Sequence, residues 1–110
     1  MSQSANPHRG EASLIVAGAE HVLRPSYGAL VAAEEELGSL FALVERAGTG
    51  QLRLAEMTAL YWHCLDSRED LTREAVGETL AALGLARASQ PLRMLLGQIL
   101  QGAPAAADPA

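Results

Sequence analysis

Lysine is missing from this 110-residue chain, whose cations are eight arginines scattered from Arg9 to Arg93. The formal net charge is −5. Proteins that bind nucleic acids neutralise phosphates with a basic stripe or patch, and this sequence has none. An acidic balance instead favours a protein or small-molecule partner. We therefore expect no nucleic acid partner.

Cysteine, aromatic residues and long apolar runs are also scarce. Cys64 is the one cysteine, so an internal disulfide is excluded and an intracellular location fits. Aromatic residues make up 4% of the chain, which favours an aliphatic core over ring-stacking sites. No apolar run is long enough to cross a bilayer, and residues 1–10 lack the apolar run of a secretory signal. These absences predict a cytoplasmic protein with no membrane partner.

Hydrophobic residues, by contrast, make up 49% of the sequence, enough for one core in a chain of this length. Residues 1–9 are polar, and residues 103–110 consist only of Ala, Pro and Asp. Such compositions are typical of disordered tails. The sequence therefore predicts a single globular domain over residues 10–102 between two disordered tails.

The segment 11–24 alternates in polarity with a period of two, which predicts a β-hairpin. A two-residue turn at Ala17 and Gly18 would bring the apolar sets of both strands to one face. The facing pairs would then be Val16 with Ala19, Leu14 with His21, and Ala12 with Leu23. Alanine suits a turn position with positive φ poorly, so a longer loop through Ala19 stays open.

After the hairpin, the apolar residues recur with helical spacing. Ser26 and Ser39 stand at N-cap positions, and Gly38 is expected to end the helix between them. The last helix is expected to begin at Ser89 with Pro91 in its first turn. Helices are predicted over about 26–37, 39–47, 54–65, 72–83 and 89–101. The predicted fold class is α+β, with an N-terminal β-hairpin followed by a compact bundle of four to five short α-helices.

The sequence offers no pattern for catalysis, cofactor binding or metal binding. His63 and Cys64 are neighbours, so on a helix their side chains point about 100° apart and cannot share a metal ion. Cys64 falls on the apolar stripe of the third helix, where a small core residue is expected. Residues 48–50, Gly-Thr-Gly, lack the length and the lysine of a phosphate-binding loop. We therefore expect neither an enzyme nor a cofactor.

The first helix carries three consecutive glutamates with different surroundings. Glu35 and Glu36 are predicted to lie on its solvated face. His63 is likewise predicted to lie on the solvated face of the third helix. Glu34 instead projects between the residues that this helix is expected to bury, which are Tyr27, Leu30, Val31 and Leu37. Its carboxylate either reaches past the core edge or pairs with a side chain such as Arg24. Glu34 and Arg24 are therefore candidate structural polar residues.

Two large apolar side chains fall away from the predicted core stripes. Trp62 lies beside Ala55 and Ala59 on the third helix, and Met94 lies opposite Leu92 on the fifth. Tryptophan and methionine are enriched where proteins bind one another, so both are candidate partner-binding residues. Packing against another helix of the same chain stays open as the alternative.

Several short motifs occur in order over about residues 9–102, including Arg9-Gly10-Glu11, Gly28-Ala29-Leu30, Leu37-Gly38, Gly50-Gln51-Leu52 and Leu71-Thr72. In this order they resemble the family of small tail proteins of gene transfer agents and related phages. Proteins of this family have been described both as tail tube components and as tail-assembly chaperones. The resemblance implies a non-enzymatic role in building a tail inside a bacterial host, with a protein partner and no cofactor.

The choice between the two roles depends on the predicted topology. A tube subunit needs extensive strands to close a ring, whereas only one hairpin is predicted here. A long, helical tape-measure protein would aggregate unless a helper protein covered its apolar stripes. The sequence therefore favours a chaperone of the tape-measure protein. A structural tube component, a generic protein-binding adaptor and a homo-oligomer stay open as alternatives.

Overall fold

A computed structural model describes residues 12–101 of the chain. The predicted tails, residues 1–9 and 103–110, lie outside the described residues. Within this part, a two-stranded antiparallel sheet is followed by five helices, which confirms the predicted α+β fold. The elements in chain order are β1 (Ala12–Val16), β2 (Ala19–Leu23), α1 (Tyr27–Leu37), α2 (Leu40–Gly48), α3 (Leu54–Cys64), α4 (Arg73–Leu83) and α5 (Leu85–Gln101).

The hairpin uses the two-residue turn and not the longer loop. Ala17 and Gly18 both have positive φ, of 53° and 82°. Two successive residues with positive φ twist the chain in the sense that strands require, which offsets the steric cost at Ala17. Leu14 faces His21 in the observed register, as the alternation of polarity predicts. The buried side chains of this face are Ala12, Leu14, Val16 and Leu23.

The outer edge of β2 is partly covered by the last residue of α3 and the segment that follows it. The main-chain N–H of Arg24 donates to the carbonyl of Cys64 at 2.6 Å, and that of Asp66 donates to the carbonyl of Val22 at 2.9 Å. An uncovered strand edge invites pairing with other chains, and these bonds occupy part of it. They also fix the hairpin against the end of α3.

Caps are present at five of the predicted helix ends. Three N-cap side chains accept a hydrogen bond from a main-chain N–H of the first helical turn, namely Ser26, Ser39 and Thr72. Gly38 and Gly84 follow α1 and α4 with φ of 88° and 90°. Glycine adopts such values without a Cβ clash, so both helices end where the sequence predicts.

The fifth helix begins earlier than the predicted start at Ser89. It starts at Leu85, so that Pro91 lies inside the helix and not in its first turn. The Ser89 hydroxyl donates to the carbonyl of Leu85, a helical i−4 contact, and therefore does not act as an N-cap. Pro91 has no N–H to give to the carbonyl of Arg87, but Arg87 is exposed and water can replace that bond.

Helix α3 is the centre of the bundle. It packs against α1, α4 and α5. Its buried residues include consecutive positions and therefore cover all sides of the helix, namely Met57, Thr58, Ala59, Leu60, Tyr61 and Cys64. Leu54, which the sequence places on the same stripe, is 37% exposed. Within residues 12–101, no helix is both long and apolar enough to span a membrane.

Helix α1 departs from the expected buried face at Tyr27. Tyr27 is 86% exposed, and Ala33 is the fully buried residue of this helix. Leu30 and Leu37, which the sequence places on the buried face, are half-buried and pack against the core, while Tyr27, the first residue of α1, lies beyond it. Phe41, in the first turn of α2, is 77% exposed. Two aromatic side chains therefore lie on the outside of the described domain.

Candidate partner-binding surface

The two candidate partner-binding residues have different surroundings. Trp62 is half-buried and packs against the hydrophobic core, with the Arg68 guanidinium 5.4 Å from its ring centroid. This distance permits a cation–π interaction. Met94 lies on α5 and is 39% exposed. Trp62 thus makes contacts within the chain, while Met94 presents much of its side chain to solvent.

The two candidate structural polar residues each hold a different part of the fold. Arg24 Nη1 pairs with Asp66 Oδ1 at 2.6 Å, which joins the residue after β2 to the segment after α3. Glu34 is exposed, and its Oε2 accepts a hydrogen bond from the main-chain N–H of Leu40 at 3.2 Å. The Glu34 carboxylate therefore joins α1 to the first residue of α2. Of the two alternatives for Glu34, pairing with Arg24 is not observed, because Arg24 pairs with Asp66, and the exposed Glu34 carboxylate binds a main-chain group.

A charged cluster joins three helices, and two of its members, Glu36 and His63, are residues that the sequence places on solvated faces. Glu36 of α1 accepts from Arg73 of α4 at 2.6 and 3.0 Å and contacts His63 Nε2 of α3 at 2.8 Å. Hydrogen bonds from Arg73, and then from His63, lower the pKa of Glu36 to about 2. These three residues are far apart in sequence, so no local pattern predicts their meeting.

The core contains one cysteine, Cys64, whose thiol is a potentially reactive group. Cys64 is 1% exposed, and burial raises the pKa of its thiol to about 12. A thiolate is the form that attacks substrates and binds metals, so this cysteine acts as a small core residue. Among residues 12–101, no group of three or more His, Cys, Asp or Glu side chains is arranged to hold a metal ion.

A cleft lies between α3 and α4, and we call it the α3–α4 groove. Its volume is about 630 Å³. Its apolar and small lining residues are Leu54, Ala55, Gly77 and Ala81. Charged side chains from α1 and α4 also line it, namely Glu36, Arg73, Glu74 and Glu78. The groove therefore combines an apolar floor with a charged rim, which is the usual composition of a site for an amphipathic helix.

A second cleft, the α2–α5 groove, has a volume of about 530 Å³. Its lining is more bulky and includes Val44, Leu52, Met57, Leu85, Leu92 and Leu96. Leu85 is 58% exposed, and Arg93 is the charged residue of the lining. Neither Trp62 nor Met94 lines either groove. The grooves were not expected from the sequence, because each depends on how two helices pack against one another.

Comparison with known proteins agrees with the resemblance seen in the sequence. The family described as "phage tail tube protein, GTA-gp10" matches residues 9–102. No curated protein and no solved structure matches the chain. The match covers the hairpin and all five described helices. The chain therefore belongs to the phage tail tube protein family, GTA-gp10.

Proposed function

We propose that this member of the family is a tail-assembly chaperone. In this role it binds an apolar helical segment of the tape-measure protein in the cytoplasm of the bacterial host, without catalysing a reaction. A long apolar helix that waits for its tube is exposed to aggregation, and a small acidic protein can cover it. The net charge of −5 keeps such a complex in solution.

The observation that carries the proposal is the small sheet. β1 and β2 pair only with each other, apart from one isolated bridge between Leu23 and Leu65, among the described residues. A ring built from sheets needs strands that continue from one subunit to the next, and five-residue strands offer little edge for this. Helical grooves are better suited to holding a helix of another protein.

A structural tail component is the second candidate, and the family favours it, because the family is described as a tail tube protein. In that role the chain would stay in the finished particle in many copies. A chaperone would leave before the particle is complete. The two roles therefore make opposite predictions about the composition of purified particles.

Two measurements test the proposal together. In the first, the chain is co-expressed with the tape-measure protein from the same gene cluster. One of the two proteins carries an affinity tag, and the purified sample is examined for the other protein. We expect the two proteins to co-purify, and we expect mass spectrometry of purified particles to detect the tape-measure protein but not this chain. Detection of this chain in the many copies per particle that a tube of stacked rings requires would overturn the chaperone role and support the tube component. Failure to co-purify would overturn the proposed partner.

A further inference from the structure

The proposed function leaves open which face of the chain holds the partner. We propose that the α3–α4 groove binds the partner helix, and that this helix carries two cationic side chains about one turn apart. The inference rests on the proposed function, since it names the binding site and the chemistry of the same partner. It is drawn from the shape and charge of the groove.

The floor of the groove suits a helix that lies across it. Ala55 and Ala81 are exposed and small, and Gly77 has no side chain at all. A Cβ atom at Gly77 would lie 3.5 Å from the Thr58 side chain, so α3 and α4 are already in close contact beneath the floor. Small residues let another helix approach, and Leu54, at 37% exposed, supplies apolar surface to cover.

The charge on the rim selects the partner. Arg73 is already paired with Glu36, so that its charge is compensated within the chain. Glu74 and Glu78 are exposed, stand four residues apart on α4, and take part in no ion pair within residues 12–101. Carboxylates at this spacing repel one another and destabilise a helix. The helix dipole compensates Glu74 in the first turn, but Glu78 lies beyond it.

These two carboxylates leave the rim with uncompensated negative charge next to apolar surface. A partner helix with Lys or Arg at positions three or four apart would match the spacing and remove the repulsion. The α2–α5 groove differs in this respect, because its lining charge is the cation Arg93. Charge complementarity therefore directs a cationic helix to the α3–α4 groove.

The shape of the site is tested by filling the groove. Ala81→Trp places a large side chain in it, whereas Ala82→Trp places the same side chain at an exposed position of α4 that lines neither groove. Each variant is co-expressed with the tape-measure protein. We expect Ala81→Trp to weaken co-purification at least tenfold and Ala82→Trp to leave it unchanged, with similar melting temperatures for both variants.

The charge of the site is tested by reversal. We expect Glu74→Arg/Glu78→Arg to weaken binding of the tape-measure protein by about tenfold at low salt, with a smaller loss at high salt. The control, Glu35→Arg/Glu45→Arg, makes the same change in net charge at exposed positions outside the groove.

Four results would overturn the inference. Equal binding by Ala81→Trp and wild type would place the partner elsewhere, while the chaperone role would stand. If the charge-reversal variant and its control lose binding equally, the net charge of the chain, and not the position of the two glutamates, determines binding. A change in association between copies of this chain caused by Ala81→Trp would mean that the groove has a different occupant. Failure of the tape-measure protein to bind wild type would leave the groove without the proposed occupant. Failure of wild type to bind also overturns the proposed function.

Discussion

The hydroxyl of Tyr61 donates a hydrogen bond to the main-chain carbonyl of Ala88, at 2.5 Å. Both residues are fully buried, and the bond joins the centre of α3 to α5, three residues before Pro91. Burial raises the pKa of Tyr61 well above its ordinary value, so the phenol keeps its proton and remains a donor. A buried tyrosine usually needs such a partner, because an unpaired hydroxyl in the core is destabilising.

Tyr61→Phe should therefore lower the free energy of unfolding. The change keeps the ring and removes the donor from the Ala88 carbonyl, which we expect to cost about 1–2 kcal/mol, or a melting temperature lower by roughly 5–10 °C. Tyr27→Phe is the matched control, because Tyr27 is 86% exposed. Thermal unfolding followed by circular dichroism compares the two. Equal melting temperatures would mean that the Tyr61 bond contributes nothing to stability.

Glu36→Gln should change the pH dependence of stability. The folded-state pKa of Glu36 is about 2, below the ordinary value of 4.5, because Arg73 and His63 stabilise the carboxylate. A lowered pKa stabilises the folded chain above pH 4.5, and this contribution is lost as the pH falls towards 2. Since the side chain is 39% exposed, solvent screening limits the contribution to about 1 kcal/mol.

We therefore expect wild type to be more stable than Glu36→Gln at pH 7, and the difference to shrink between pH 4.5 and 2. Urea unfolding at a series of pH values measures it. Glu35→Gln, at the exposed neighbouring position, should show little difference from wild type at any of these pH values. A gap between wild type and Glu36→Gln that stays constant down to pH 2 would contradict the role of the carboxylate charge.

The two faces of the hairpin should respond differently to the same substitution. Leu14 is 3% exposed, while the next residue, Ile15, is 54% exposed and faces Glu20 across the strands. Asparagine avoids adding a charge beside Glu20. We expect Leu14→Asn to cost about 3 kcal/mol or more, through a lost apolar contact and a buried amide, and Ile15→Asn to cost less than about 1 kcal/mol. Similar losses in both variants would contradict the observed register.

The elements that the sequence predicts well are those with local causes. The hairpin register follows from alternation of polarity, and the starts of α1 and α2 follow from Ser26 and Ser39, whose hydroxyls bind the first turn of each helix. The start of α5 was predicted wrongly because that prediction also relied on a local signal. Ser89 and Pro91 are a local signal for a helix start, but good helix formers before them let the helix begin at Leu85.

The parts of the surface that the sequence does not predict depend on contacts between different helices. Glu36 is charged and follows Glu35, so a solvated position is the natural prediction, yet it meets Arg73 across 37 positions. The α3–α4 groove likewise depends on the packing of two helices, which approach one another where Gly77 of α4 faces Thr58 of α3. No periodicity within one helix contains this information. Trp62 and Met94 fall off their stripes alike, and only tertiary packing distinguishes them.

Trp62 and Met94 provide the last prediction, because packing separates two residues that are alike in sequence. Trp62 is half-buried against the core and stacked with Arg68, so Trp62→Ala should lower the free energy of unfolding by about 2–3 kcal/mol. Met94 is 39% exposed, so Met94→Ala should cost less than about 1 kcal/mol. Urea unfolding of the two purified variants measures both values.

Binding measurements on the same two variants complete the test. Since neither residue lines the α3–α4 groove, Met94→Ala should bind the tape-measure protein as well as wild type does. Trp62→Ala should lose binding only in proportion to its unfolded fraction, and this loss should be reversed at lower temperature, where more of the variant is folded. If Trp62→Ala unfolds like wild type but no longer binds, Trp62 contacts the partner directly, and the binding surface extends beyond the groove to the end of α3.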